Sequence, residues 1–114
     1  MDILPDPITN DMNKLAFLYV TNDSTESAKK IARHLLEKRM IGCANIFPVN
    51  AMYWWEGKIE DGNEVVLIVK TTQERVEKVR KEIAKIHPFD TPCIIKIDVN
   101  PNEKYLHWIK SELR

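Results

Sequence analysis

Five side chains in this 114-residue chain could ligate a soft metal: the thiols of Cys43 and Cys93 and the imidazoles of His34, His87 and His107. Thiolate and imidazole are the donors that zinc- and copper-like ions select, and a usable site needs them at short, defined spacing. No C-x-x-C, H-x-H or H-x-x-x-H occurs. A metal reading therefore rests on His87, Cys43 and Cys93 meeting through folding or across two chains. The simpler reading of each residue competes with it. A Cys on an apolar strand is usually a small buried hydrophobe. His87 precedes Pro88 at an expected helix end, where an imidazolium caps the C-terminus favourably. His34 and His107 are expected at the surface.

A second set could bind a ligand without a metal. Lys70 ends the most apolar run of the sequence, and Lys rarely lies buried without a partner. It is read as an ion pair with Glu64 or Asp90, the alternative being an anion-binding group. Tyr53, Trp54, Trp55 and Trp108 either line a cleft or seal a subunit interface, where aromatics concentrate. Lys70, His87 and Asp90 all fall near element ends and could converge with Trp55 at one subunit junction. Convergent polar groups in an aromatic cleft make the default binding-site hypothesis, with Tyr53, Trp55, Glu64, Lys70, His87, Asp90 and Trp108 as its members. No G-x-S-x-G, P-loop or G-x-G-x-x-G is present, so the chain is read as a non-enzyme.

The elements that must position these groups follow from periodicity. Residues 1–14 form a polar, Pro-containing leader, expected to be flexible, and residues 15–114 form one domain. Leu15–Thr21 is a continuous apolar run, read as a buried strand. A helix follows, capped by Asp23, Ser24 or Thr25, with Ala28, Ile31, Ala32, Leu35 and Leu36 as its apolar stripe. Gly42–Trp55 reads as extended, with Pro48 at a bulge or a sheet edge. Asp61-Gly62-Asn63 reads as a turn, and Glu64–Thr71 as a central strand. Thr71 and Glu74 have capping-box spacing for a second helix ending at His87-Pro88. Pro92–Val99 reads as a fourth strand, and Asn100-Pro101 as the cap and first position of a last helix with Leu106, Ile109 and Leu113 inward.

The order β-α-β-β-α-β plus a terminal helix predicts an α+β split βαβ sandwich: a four-stranded sheet with two helices on one face. The second and fourth strands then form opposite edges, which separates Cys43 from Cys93 within one chain. Fully extended, Gly42–Trp55 reaches about 45 Å, more than the roughly 33 Å diameter of a domain this size. The strand must overhang and carry Met52 to Trp55 with it. Exposed apolar edges aggregate unless covered, so a symmetric oligomer is expected.

Composition narrows the partners. With 44% hydrophobic and 30% charged residues the chain is globular. Its 17 Lys and Arg balance 17 Asp and Glu, which argues against nucleic acid as a partner. No run approaches the ~18–20 apolar residues of a membrane span. The first residues lack a signal-peptide core, so a cytoplasmic location is expected.

Five motifs in order resemble the CutA family of divalent-cation tolerance proteins: Cys43-Ala44-Asn45-Ile46-Phe47-Pro48, Tyr53-Trp54-Trp55-Glu56-Gly57, Glu64 through Lys70-Thr71, His87-Pro88-Phe89-Asp90-Thr91-Pro92 and Tyr105-Leu106-His107-Trp108. The resemblance implies a ferredoxin-like fold, a homotrimer similar to the PII signalling proteins, and a link to tolerance of divalent metals, copper above all. It implies no catalytic reaction and no obligatory cofactor, with Cu(II) or another divalent ion as the candidate ligand. Phe89, Asp90 and Ala51 depart from the usual Tyr, Glu and Ser. Val20 and Ile86 stand where bacterial copper-binding members carry further Cys or His ligands. The alternatives to a metal-linked trimer are a PII-like sensor of a small molecule or anion, and a trimeric scaffold anchoring a partner protein.

Overall fold

In the computed structural model, which describes residues 14–114, a four-stranded antiparallel sheet carries helices on both faces. The chain runs β1 (Leu15–Asn22), α1 (Thr25–Glu37), β2 (Cys43–Trp55), β3 (Lys58–Thr72), α2 (Val76–Ile86), β4 (Ile94–Val99) and α3 (Glu103–Glu112). The sheet order is β2-β3-β1-β4, so the α+β split βαβ sandwich is as expected and β2 and β4 are its edges. The expected leader at residues 1–14 lies outside the described residues except for Lys14.

Strand alternation divides the side chains between two faces. Ala16, Leu18 and Val20 of β1 and Leu67 and Val69 of β3 point toward α1 and α2. They meet Ala28, Ile31, Ala32 and Leu35 of α1 and Val76, Val79 and Ile83 of α2 in one buried core. Leu36, read as part of the stripe, is exposed: the stripe of α1 is narrower than its apolar composition. Ser24 is the cap of α1, its hydroxyl accepting from the Ser27 N–H at 3.1 Å. The two helices are tied at their outer surface by Glu82, which accepts from Lys38 at 3.1 Å and lies 2.6 Å from His34 Nε2. His34 is therefore half-buried rather than a free surface residue.

The opposite face of the sheet is covered only at one end. There α3 lays Leu106, Ile109 and Leu113 over Leu15 in a second, smaller core, with Cys43, Val99 and Tyr105 at its margin. Farther along, Phe47, Ile95 and Ile97 of this face remain exposed.

Four local expectations are corrected. The β2–β3 hairpin turns at Glu56-Gly57, both with positive φ (49° and 79°), while Asp61-Gly62-Asn63 lies inside β3 opposite Asn50, Ala51 and Met52. A two-residue turn with two left-handed residues matches the twist of the strands it joins, and this signal outranks D-G-N. Pro48, by contrast, is where one of its two expected placements puts it: β2 is a sheet edge, and the register through Pro48↔Val65 is unbroken. Thr71 does not cap α2: it is paired in β3 with Ala16, and its hydroxyl donates to the Met40 carbonyl at 2.9 Å. Arg75 sits at the helix start without a side-chain cap. The last helix is capped at Asn102, two residues after Asn100, and β4 begins at Ile94, two residues after Pro92.

The overhang is present. Beyond the pairing of Asn22 with Val65, seven further β2–β3 pairs, Val49↔Glu64 to Trp55↔Lys58, have no third strand beside them. They project roughly 23 Å. The radius of gyration is 15.9 Å, against about 13 Å for a compact chain of this size. Met52 is 70% exposed, Trp54 72% and Ile59 60%, values that no solvated hairpin of a lone subunit needs.

Candidate functional site

The residues with chemical potential fall into two groups, at opposite ends of β1. At the Leu15 end, β3 presents Lys70 on the face that α3 partly covers, with Phe17 beside it on β1 and Cys43 opposite it on β2. α3 adds Tyr105 and Trp108, one turn apart, their rings 5.7 Å between centroids. The Lys70 ammonium lies 5.2 Å from the centre of the Phe17 ring and 5.5 Å from that of Tyr105, and donates a long 3.5 Å hydrogen bond to the Tyr105 hydroxyl. Such cation–π contacts stabilise by about 0.5–2 kcal/mol, but they do not neutralise the charge. Burial first, then the hydrogen bond with the Cys43 thiol, pushes the Tyr105 hydroxyl up to about 12, so it remains a protonated donor in neutral water.

The expected ion pair of Lys70 is not formed. Glu64 lies six residues back along β3, roughly 20 Å away, opposite Val49. Asp90 follows α2, whose end is anchored at the far end of β1.

At that far end, His87 is buried and both its ring nitrogens are engaged. Nε2 donates to the Thr21 carbonyl at 2.9 Å, and Nδ1 accepts the Phe89 N–H at 3.1 Å, which places the proton on Nε2. The Phe89 ring meets the imidazole edge-on at 4.7 Å. His87 thus ties the segment leading to β4 onto the end of β1. Its backbone N–H also closes α2 on the Ile83 carbonyl. Cys93 lies in the same segment, immediately before Ile94, and Cys43 lies on the other sheet edge. Among the described residues, no group of three or more His, Cys, Asp or Glu side chains is placed to hold a metal ion. Within one chain, the donor set of His87, Cys43 and Cys93 does not fit a metal: two thiols sit on opposite edges and the imidazole has no free lone pair.

Tyr53 and Trp55 sit near the hairpin tip, on the same face as Glu64 and Lys70 by alternation. One protomer therefore spreads Tyr53, Trp55, Glu64, Lys70 and Trp108 along a single face and leaves His87 and Asp90 at its rim. Phe17 and Tyr105 were not in the expected site. The signal for Tyr105 was available: it flanks the Leu106, Ile109 and Leu113 stripe that faces the sheet.

Comparison with known proteins decides the family. Residues 16–112 match the family described as CutA1 divalent ion tolerance protein. The chain belongs to the CutA family. A relative from Archaeoglobus fulgidus, the divalent-cation tolerance protein CutA, is 46% identical over 94 residues, which are 82% of this chain and 92% of that protein. The protein of the same name from Pyrococcus horikoshii is 44% identical over 88% of this chain and 99% of its own length. The solved structure of the periplasmic divalent cation tolerance protein CutA from Archaeoglobus fulgidus superposes with a TM-score of 0.84 at 42% identity, covering 88% of this chain and 99% of that one. A relative from Arabidopsis thaliana, 33% identical over 85% of this chain, bears the description chloroplastic. No helix among the described residues is long and apolar enough to cross a membrane.

Proposed function

We propose that this CutA-family chain acts as a non-enzymatic homotrimer in the response to divalent metal ions, with its ligand sites in the clefts between subunits. The observation that carries this reading is the pair of uncovered apolar surfaces: the seven-pair hairpin overhang and the sheet face bearing Phe47, Ile95 and Ile97. Both β edges of a protomer also keep free hydrogen-bonding groups, so copies can join edge to edge around a threefold axis. Such an arrangement brings the Tyr53 and Trp55 end of one hairpin toward a neighbour's sheet, where Lys70 and Trp108 stand, and sets the Cys43 edge of one chain near the Cys93 edge of the next. The names of the relatives supply the metal link, and copper is the ion we propose.

A direct copper site must then be shared between chains, because one chain does not assemble the donors. Equilibrium dialysis of the full chain against Cu(II) tests it. Saturation near one ion per chain, lost in both Cys43→Ser and Cys93→Ser, supports direct sensing. Uptake that is unchanged in both variants, or no uptake above that of surface imidazoles, overturns the direct version and leaves metal tolerance to an indirect route.

A second reading is favoured by Lys70, whose charge meets aromatic rings and a hydroxyl but no carboxylate. In that reading the trimer senses a small anion, as PII-like proteins sense small molecules. A scaffold role, in which the trimer anchors a partner protein, is the outcome if neither metal nor anion binds.

A further inference from the structure

The corner where α3 meets the sheet contains hydrogen-bond donors and little to receive them. Lys70 spends one N–H on the Tyr105 hydroxyl and has two more. The Tyr105 hydroxyl accepts from Lys70 and hydrogen-bonds the Cys43 thiol, so both its roles are taken. Trp108, 46% exposed beside Tyr105, carries an indole N–H with no partner among the described residues. Two acidic groups at that end of the sheet are engaged elsewhere: Glu112 pairs with Arg39 at 2.8 Å, and Asp98 accepts from Gln73 at 2.8 Å. A half-buried ammonium without a counter-charge is an incomplete arrangement.

We infer that this corner is a receptor for a small carboxylate, held by the Lys70 ammonium and the Trp108 indole N–H against the walls of Phe17 and Tyr105. The inference rests on the anion-sensor reading and narrows it. Charge decides between anion classes. Lys70 is the cation placed over both the Phe17 and the Tyr105 ring, and a single ammonium between two aromatic walls matches a monoanion. A phosphate dianion or a nucleotide would bring two or more charges, and sites for those collect several cations or a fan of backbone N–H groups. The aromatic walls favour a carboxylate with a flat or apolar body over a fully hydrated ion.

The test uses the full chain carrying Trp54→Phe and Trp55→Phe, in which Trp108 is the remaining indole. Its fluorescence is titrated with benzoate, acetate and inorganic phosphate at matched ionic strength. The expected result is a saturable change with the carboxylates, benzoate binding tighter than acetate, and a loss of affinity of about tenfold or more in Lys70→Met. Lys70→Arg retains binding, and light scattering confirms that each variant keeps the parent's assembly. A saturable, Lys70-dependent response to phosphate alone overturns the carboxylate assignment while keeping the anion reading. No saturable response to any of the three, or one undiminished in Lys70→Met at unchanged assembly, overturns both.

Discussion

Replacing Gly42 by Ala tests the seating of α3, on which the whole Lys70 corner depends. A Cβ built at Gly42 would stand 2.7 Å from Cδ1 of Ile109, well inside the 3.5–4.0 Å of good carbon contact. Ile109 is fully buried among Leu15, Leu106 and Leu113, so its terminal methyl cannot swing into solvent. Overpacking of this kind costs about 1–3 kcal/mol. Loss of glycine's freedom in the unfolded chain offsets about 0.4–1 kcal/mol. The net destabilisation expected for Gly42→Ala is therefore roughly 0–2.6 kcal/mol, centred on about 1.3 kcal/mol. Ile109→Val removes the clashing methyl and by itself costs about 0.5–1.5 kcal/mol. In the double variant the added methyl fills the space the lost one leaves, since the other Ile109 atoms stand at 3.5 Å. The double variant should then be no less stable than Ile109→Val alone, a favourable coupling of about 1 kcal/mol. Urea denaturation of the four proteins at one fixed concentration measures it, because assembly makes apparent stability depend on concentration. Strict additivity, within about 0.5 kcal/mol, would refute the close approach of α3 to Gly42.

Other consequences are as direct. Hydrogen bonding to His34 first and to Lys38 next lowers the Glu82 pKa from 4.5 to about 2. A carboxylate with a depressed folded-state pKa contributes stability that is complete above the unfolded value and is lost as pH falls toward the folded one. The stability difference between the parent and Glu82→Gln should therefore shrink between pH 4.5 and pH 2 in a pH series of thermal melts, and parallel curves would contradict the cluster. Ser24→Ala should cost about 1 kcal/mol, read by urea denaturation, and no loss would remove the cap from the account. Tyr53→Ser with Trp55→Ser should lower the solution mass while leaving the far-ultraviolet circular dichroism that of a folded α+β chain; an unchanged mass would detach the hairpin from assembly.

What the sequence disclosed and what it concealed have physical causes. Long periodic signals were legible: the stripe Ala28, Ile31, Ala32, Leu35 and the run Val65–Val69 fixed helix, central strand and topology, because burying them leaves few arrangements. Turn chemistry misled where two signals competed. Asp61-Gly62-Asn63 looks like a turn, yet Trp54 and Trp55 pair directly with Ile59 and Lys58, and the pairing runs on through Gly62. The capping signal at Thr71 failed because Thr71 was already used by the sheet, and the last helix takes Asn102 rather than Asn100 as its cap. The partner of Lys70 could not be read from charge pairing, since the contact is made by rings from two other elements, one of them 35 residues distant in the chain. His87 was legible as a helix end, but its two hydrogen bonds depend on the end of β1, which no local pattern encodes. The overhang was legible from length alone, and it is the feature from which assembly is argued.

In the trimer we propose, the exposed sheet face and hairpin are covered by two further copies of this chain. Light scattering of the purified protein, in buffer, with Cu(II) and with a chelator, tests it most directly. The expected mass is three times the 13.3 kDa of the chain in all three conditions. A stable monomer would contradict it, and with it every site placed between subunits.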